Sequence, residues 1–184
     1  SVSLPALSKK DIAAFKIGLE NNIRDFALSF ANSANDVLEV RAIVGDDANI
    51  ISKIESKKGV LNLDNILEVT DSILIDRGDL SREVQLENIP FLQKMIIKKG
   101  NAFNKNVYVA TNLLESMMVN GNPTRAELND VINTLIDGAN GLVLAAETAI
   151  GKHPVAAVDI LRSLISRYTN SLSGYHIEEL LEHQ

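Results

Sequence analysis

Cysteine is absent from the 184 residues. That one absence removes a disulfide framework, a thiol nucleophile and any thiolate metal site, and it agrees with an intracellular, cytoplasmic home. Aromatic residues make up only 4% of the chain, leaving few platforms on which bases could stack. Positive charge is in the minority: the net charge is −6, and the lysine pairs at 9–10, 57–58 and 98–99 are dispersed along the sequence as solvated helix surface. No basic stripe results, so nucleic acid is not an expected partner. A membrane is not expected either. The longest uninterrupted apolar run, residues 142–146, is far too short to span a bilayer, and no signal-peptide pattern opens the chain. Glycine-rich phosphate loops of the Walker or Rossmann kind are missing as well. The three histidines, His153, His176 and His183, fall on a helix start and a polar tail, away from any strand end, which argues against a histidine base or ligand.

What is present is a globular composition, 46% hydrophobic and 23% charged, suited to a single domain over residues 1–184. Strand-like runs alternate with helical patterns. Ser8 is placed to cap a helix reaching about Asn21, and Asn35 or Asn32 to open a second one stopped by Gly45. Strands are expected at residues 26–30, 49–54, 72–75, 107–110 and 141–145. Further helices are expected at 58–69, 89–102, 113–118, 125–137, 154–168 and, briefly, 177–181. Met95, Met117 and Met118 read as packing residues. The repeated βα rhythm, with strands that read as buried on both faces, indicates an α/β fold with five parallel strands. A closed eight-stranded barrel needs about 250 residues, so the pattern fits a partial TIM-type (βα) barrel.

Two short motifs sit where such a fold does its chemistry. Ser52-Lys53-Ile54-Glu55 closes one strand, and Asp76-Arg77-Gly78-Asp79-Leu80 closes the next. Together they place carboxylates and an ammonium on the C-terminal rim of a parallel sheet. Glu55 and Asp79 can share one Mg²⁺ (or Mn²⁺), a hard ion that takes a few carboxylates and keeps positions open for substrate oxygens. Lys53 then faces the negative charge that a substrate brings. The plainer alternative is that these acids cap helices or pair with lysines. For Lys53 the two readings are compatible, because strand alternation puts it on the same side as Glu55.

Several blocks, in one order, resemble pyruvate kinase: Leu4-Pro5-Ala6-Leu7-Ser8, Ser29-Phe30, the two motifs above, Thr111 with Leu114-Glu115-Ser116-Met117, Pro123-Thr124-Arg125-Ala126-Glu127, Asp137-Gly138-Ala139 and Glu147-Thr148-Ala149. The resemblance runs from about residue 4 to residue 168 and covers the later part of that family's catalytic barrel, strands four to eight. It implies that Glu55 and Asp79 are Mg²⁺ ligands, that Lys53 stabilises the migrating phosphoryl group, and that amides around Gly78 and Asp79 hold the substrate carboxylate. It also implies that Thr111 lies beside the carbon that gains a proton, that Arg77 organises its loop or a subunit contact, and that residues 123–127 lie near a barrel-to-barrel interface. The activity so implied is Mg²⁺-dependent transfer of phosphate from phosphoenolpyruvate to ADP, giving pyruvate and ATP.

Departures from the family pattern carry their own expectations. Asp76 stands in place of alanine, Ser81 of glycine and Asn112 of glutamine; Ala145-Ala146-Glu147 replaces Ser-Gly-Glu and removes a hydroxyl associated with proton delivery. Asp76 reads as a third metal ligand, as a brake on the substrate carboxylate, or as an ion-pair partner. The first three barrel strands, which bring the family's K⁺ ligands and nucleotide-phosphate contacts, have no counterpart here, nor do the lid and the C-terminal regulatory domain. K⁺ is therefore not expected from this segment, and the ADP site requires barrel segments beyond it. Two rivals follow: metal-dependent chemistry on a pyruvate enolate without nucleotide, and a non-catalytic phosphoenolpyruvate/pyruvate-binding or interaction module. Open sheet edges point to a homo-oligomer or to the remainder of a longer chain as partner.

Overall fold

The computed structural model describes residues 6–171 together with 174 and 181. By compactness the chain divides into two units, Ser1–Ala110 with Gly138–Leu142, and Thr111–Asp137 with Val143–Gln184. The first unit holds strands β1 (Asp25–Leu28), β2 (Asn49–Ile54), β3 (Ser72–Asp76) and β4 (Asn106–Ala110), and takes in Gly141 and Leu142 of β5 (Gly141–Val143). The sheet order is β1-β2-β3-β4-β5, with the β1–β2, β2–β3 and β3–β4 pairs all parallel. Consecutive parallel neighbours joined by helices are what the alternating pattern predicts.

The helices of this unit are α1 (Lys9–Glu20), α2 (Ala34–Val44), α3 (Lys57–Leu61), α4 (Leu63–Val69), α5 (Arg77–Leu80) and α6 (Ile89–Ala102). Ser8 caps α1 as expected, through a capping box with Asp11. The second helix starts at neither asparagine: Ser33 caps it and Asp36 returns the favour to the Ser33 amide. Such boxes satisfy two orphan donors at once, worth about 1 kcal/mol. The helix expected over 58–69 is two helices, because the chain breaks at Asn62, whose side-chain amide donates to the Asn32 carbonyl at 2.8 Å. The strand expected over 26–30 stops at Leu28, since Phe30 turns to φ 51°.

The core of the unit is aliphatic, built from residues such as Val37, Val40, Ile50, Ile54, Ile66, Leu67, Ile73, Ile75, Ile96 and Ile97, with Phe15 set edge-on to Phe26 at 5.4 Å. The strands are not uniformly buried on both faces. Along β2, Ile50, Ser52 and Ile54 are buried while Asn49, Ile51 and Lys53 are half-buried, so the helices cover one face more fully than the other. The buried Ser52 hydroxyl is satisfied by Thr70 at 2.8 Å. Met95 is 59% exposed and is no packing residue.

In the second unit, a 3-10 turn over Glu115–Met118 replaces the helix expected at 113–118, and α7 (Arg125–Ile136), α8 (Ala146–Ala149) and α9 (Pro154–Ser171) follow. The strand expected to reach residue 145 ends at Val143. Leu113, Leu114, Met117, Val131, Leu135, Ala157 and Leu161 are buried, and α9 lies against both α7 and α8. No helix of the described residues is long and apolar enough to cross a membrane. The short helix expected at 177–181 falls outside the described residues apart from Leu181, and His176 and His183 fall outside them entirely.

Candidate metal and anion site

Lys53 is the penultimate residue of β2, and Glu55 follows the strand by one residue. Asp76 is the last residue of β3 and caps α5, which carries Asp79 in its first turn. The β2–β3 register pairs Lys53 with Leu74 and Ile54 with Ile75, so one further step brings Glu55 level with Asp76. Glu55, Asp76 and Asp79 each offer a carboxylate oxygen, and the three oxygens lie within 4.8 Å of one another. Lys53 Nζ sits between two of these acids, 3.0 Å from Glu55 Oε2 and 3.2 Å from Asp76 Oδ2. Asp79 turns its other interest outward, to Arg82 at 3.1 Å.

Glu55 is held firmly. Its side chain is fully buried, and Oε1 accepts the Phe30 amide at 2.6 Å. Oε2 is buried too, and its partner is the Lys53 ammonium at 3.0 Å. The desolvation cost of a buried carboxylate oxygen is offset here by that ammonium. The left-handed turn at Phe30 aims that amide at Glu55. Ser29-Phe30 stood out in the sequence, but nothing in the motif showed that its backbone positions the acid.

Burial works to lower the pKa of Lys53, but the hydrogen bonds and charges of Glu55 and then Asp76 outweigh it and hold the ammonium above the ordinary lysine value. The side chain is therefore a fixed cation across the physiological range. At the start of α5 the Asp79 amide donates to Asp76 Oδ1 at a long 3.5 Å, and the Ser81 hydroxyl donates to the Gly78 carbonyl at 2.8 Å. Arg77 donates to the Gln93 side chain at 3.3 Å, which ties α5 to α6.

All-oxygen donors suit Mg²⁺ or Mn²⁺ better than a soft metal. The three oxygens lie near enough to one another for side-chain adjustment to bring them onto one such ion. The cation that balances buried Glu55 Oε2 in this structure is the Lys53 ammonium, 3.0 Å away.

Thr111 lies in the second unit, directly after β4 in sequence, with φ 76°, and Asn112 follows at φ 57°. Left-handed backbone at a β-branched residue is strained, a state that persists only where surroundings enforce it. With Asn112, Glu115, Met118, Ala145, Ala146 and Glu147, Thr111 lines a small recess of about 40 Å³. Asn112 is held by Glu115 at 2.9 Å. Glu147 is buried and accepts the amides of Leu114 at 3.1 Å and Ala145 at 2.9 Å, so it stabilises a helix start, as expected from its position. His153 contacts the Val119 carbonyl at 3.2 Å and stands in no cluster of possible metal ligands among the described residues.

Acids and a lysine at the C-termini of adjacent parallel strands stand where (βα) barrels and other parallel α/β folds place their sites. Comparison with known proteins makes the class specific. The sequence matches the family "PK: Pyruvate kinase, barrel domain" over residues 1–158. It is 50% identical to "Pyruvate kinase" of Dictyostelium discoideum over 166 residues, 89% of this chain and 33% of that protein. It is 39% identical to "Pyruvate kinase" of Thermotoga maritima over 181 residues, 97% of this chain and 39% of that one. With "Pyruvate kinase 1" of Saccharomyces cerevisiae the identity is 45% over 160 residues, 85% and 32%. The chain belongs to the pyruvate kinase family, within its barrel domain. It spans about a third of the length of the curated relatives it matches.

Proposed function

We propose that this chain carries the metal and phosphoenolpyruvate/pyruvate half of a pyruvate kinase site. Joined to the barrel segments that complete it, it supports phosphoryl transfer from phosphoenolpyruvate to ADP in the cytoplasm. The observation that carries this is the convergence of Lys53, Glu55 and Asp79 at the ends of β2 and β3. Glu55 and Asp79 would hold Mg²⁺ or Mn²⁺, which when bound neutralises and polarises substrate oxygens. Lys53 supplies a fixed positive charge for the phosphoryl group; transfer of this kind depends on alignment and charge neutralisation more than on covalent chemistry. Gly78 and Asp79 border the place for the substrate carboxylate, and Thr111 serves the proton-delivery side. Completing segments at the β1 and β5 edges come from the rest of a longer chain or from a second copy.

A pyruvate-release assay with ADP, Mg²⁺ and K⁺ tests the kinase. Lys53→Ala should lower the rate by on the order of 10²-fold or more, and equal rates for variant and wild type would remove the claim. The pairing of Asp76 with Lys53 favours a second reading, metal-dependent chemistry on a pyruvate enolate without nucleotide. Exchange of pyruvate methyl protons with solvent, followed by NMR without ADP, separates the two: exchange without phosphoryl transfer supports the second.

A further inference from the structure

Asparagine followed by glycine occurs twice in the chain, at Asn120-Gly121 and at Asn140-Gly141. In such a pair the backbone nitrogen of the second residue can attack the side-chain amide of the first. Glycine, with no Cβ, leaves that nitrogen open and its peptide free to turn. Asparagine is a thermolabile residue for this reason. Both asparagines are exposed, so exposure alone would make them equally reactive. Their surroundings differ.

Asn120 lies just past the 3-10 turn at Glu115–Met118, in neither helix nor strand, and Gly121 and Asn122 after it are exposed too. Its own amide is anchored, donating to the Ser116 carbonyl at 2.9 Å. Beyond that point nothing holds the pair. The Asn120 side chain and the Gly121 N–H have no hydrogen-bond partner among the described residues, and a Cβ on Gly121 would meet no atom within 4 Å.

Asn140 is clamped twice by one residue. Its amide donates to the Val107 carbonyl at 2.8 Å, and its side-chain Oδ1 accepts the Val107 amide at 2.8 Å. Gly141 opens β5 against the Tyr108 ring, where a Cβ would come within 2.6 Å of Cδ1. Swinging the Asn140 carboxamide onto the Gly141 nitrogen would cost the amide of buried Val107 that acceptor.

We propose that Asn120-Gly121 is a site of spontaneous deamidation in the folded chain, and that the fold protects Asn140-Gly141. The Gly121 nitrogen gives its proton to hydroxide and bonds to Cγ of Asn120. The Cγ–Nδ2 bond breaks, and ammonia leaves with a proton taken from water. The succinimide ring so formed adds water at one of its two carbonyls. Opening at the side-chain carbonyl gives aspartate; opening at the main-chain carbonyl gives isoaspartate, in which the backbone runs through the former side chain. Water is the only co-reactant, and nothing is oxidised or reduced. Each event adds one negative charge.

The test keeps the folded 184-residue chain warm at mildly alkaline pH, with samples taken over days and digested with trypsin. Cleavage after Lys105, Arg125 and Lys152 puts the two sites in separate peptides, 106–125 and 126–152. Mass spectrometry should show residue 120 passing from amide to acid, faster as pH rises, while residue 140 keeps its amide. Part of the product should be isoaspartate, which direct hydrolysis of the side chain cannot make. In urea both sites should convert. Gly121→Ala, for which the structure leaves room, should keep the Asn120 amide over the same interval. The proposal is overturned if residue 120 converts no faster than residue 140 in the folded chain, or only after unfolding. Conversion of Gly121→Ala as fast as wild type, with no isoaspartate formed, overturns it too.

Discussion

One oxygen of Glu55 is fixed by the Phe30 amide and the other faces Lys53 inside a buried pocket of charge. That division explains why a fully buried acid is tolerated: it is oriented by one partner and neutralised by another. Removing the neutralising partner is therefore costly. Lys53→Met should destabilise the chain by about 3 kcal/mol in urea unfolding, with part of that loss recovered by added Mn²⁺; a variant as stable as wild type would show that the pair is idle. Glu127 illustrates the other kind of acid. Burial works to raise its pKa, but donors from Ser116 and then Thr124 outweigh this and hold it below the usual glutamate value. A depressed folded pKa gives stability that is present above the unfolded value, about 4.3, and is lost as pH falls through the folded one. Glu127 is partly exposed and screened, so Glu127→Gln should cost only about 0.5–1 kcal/mol at pH 7, with the gap closing below pH 4. A gap that stays constant down to pH 3 would contradict this.

Whether single residues could be read from the sequence depended on how local their partners are. Lys53 and Glu55 share a strand face, so alternation alone put them together. Asp76 kept three readings open because its meeting with Lys53 depends on the β2–β3 register, which no local pattern states. The structure realises the ion pair with Lys53 and places an Asp76 oxygen within 4.8 Å of oxygens of Glu55 and Asp79.

At the scale of elements, strong periodicity located what it should. The strand 49–54 and the helix 89–102 have the expected limits, and Gly45 ends α2 at φ 79°. Boundaries moved where tertiary partners intervened. Asn62 breaks a helix to reach the Asn32 carbonyl, and Phe30 leaves its strand to serve Glu55. Neither partner is near in sequence, which is why the pattern missed both. The first turn of α3 is also tightly packed, against the loop that follows β1. A Cβ on Gly59 would lie 2.7 Å from the Ala31 carbonyl oxygen, a backbone atom with little room to yield. Alanine gains about 1 kcal/mol in helix propensity there, but the clash costs about 1–3 kcal/mol. Gly59→Ala should therefore lower the melting temperature by a few degrees and weaken Mn²⁺ binding through Glu55; a raised melting temperature would show that the loop at Ala31 gives way.

At the scale of the whole molecule, β1 and β5 end the sheet order, and edge strands with unpaired backbone groups recruit partners. The family relatives are about three times as long. We expect the isolated chain to run in sedimentation at more than the mass of one copy; a monomer at micromolar concentration would mean that the edges are satisfied within the chain itself. The α/β class and the strand count were legible because βα alternation is a long-range rhythm. The division into two units was not, because no change of composition marks it.

The most direct measurement is a crystal of the chain soaked in Mn²⁺, with diffraction recorded at the manganese edge. An anomalous peak bonded to carboxylate oxygens of Glu55 and Asp79, with the Lys53 ammonium nearby, is the expected result. A fully soaked crystal with no peak at those side chains, or with manganese only on surface acids elsewhere, would contradict it.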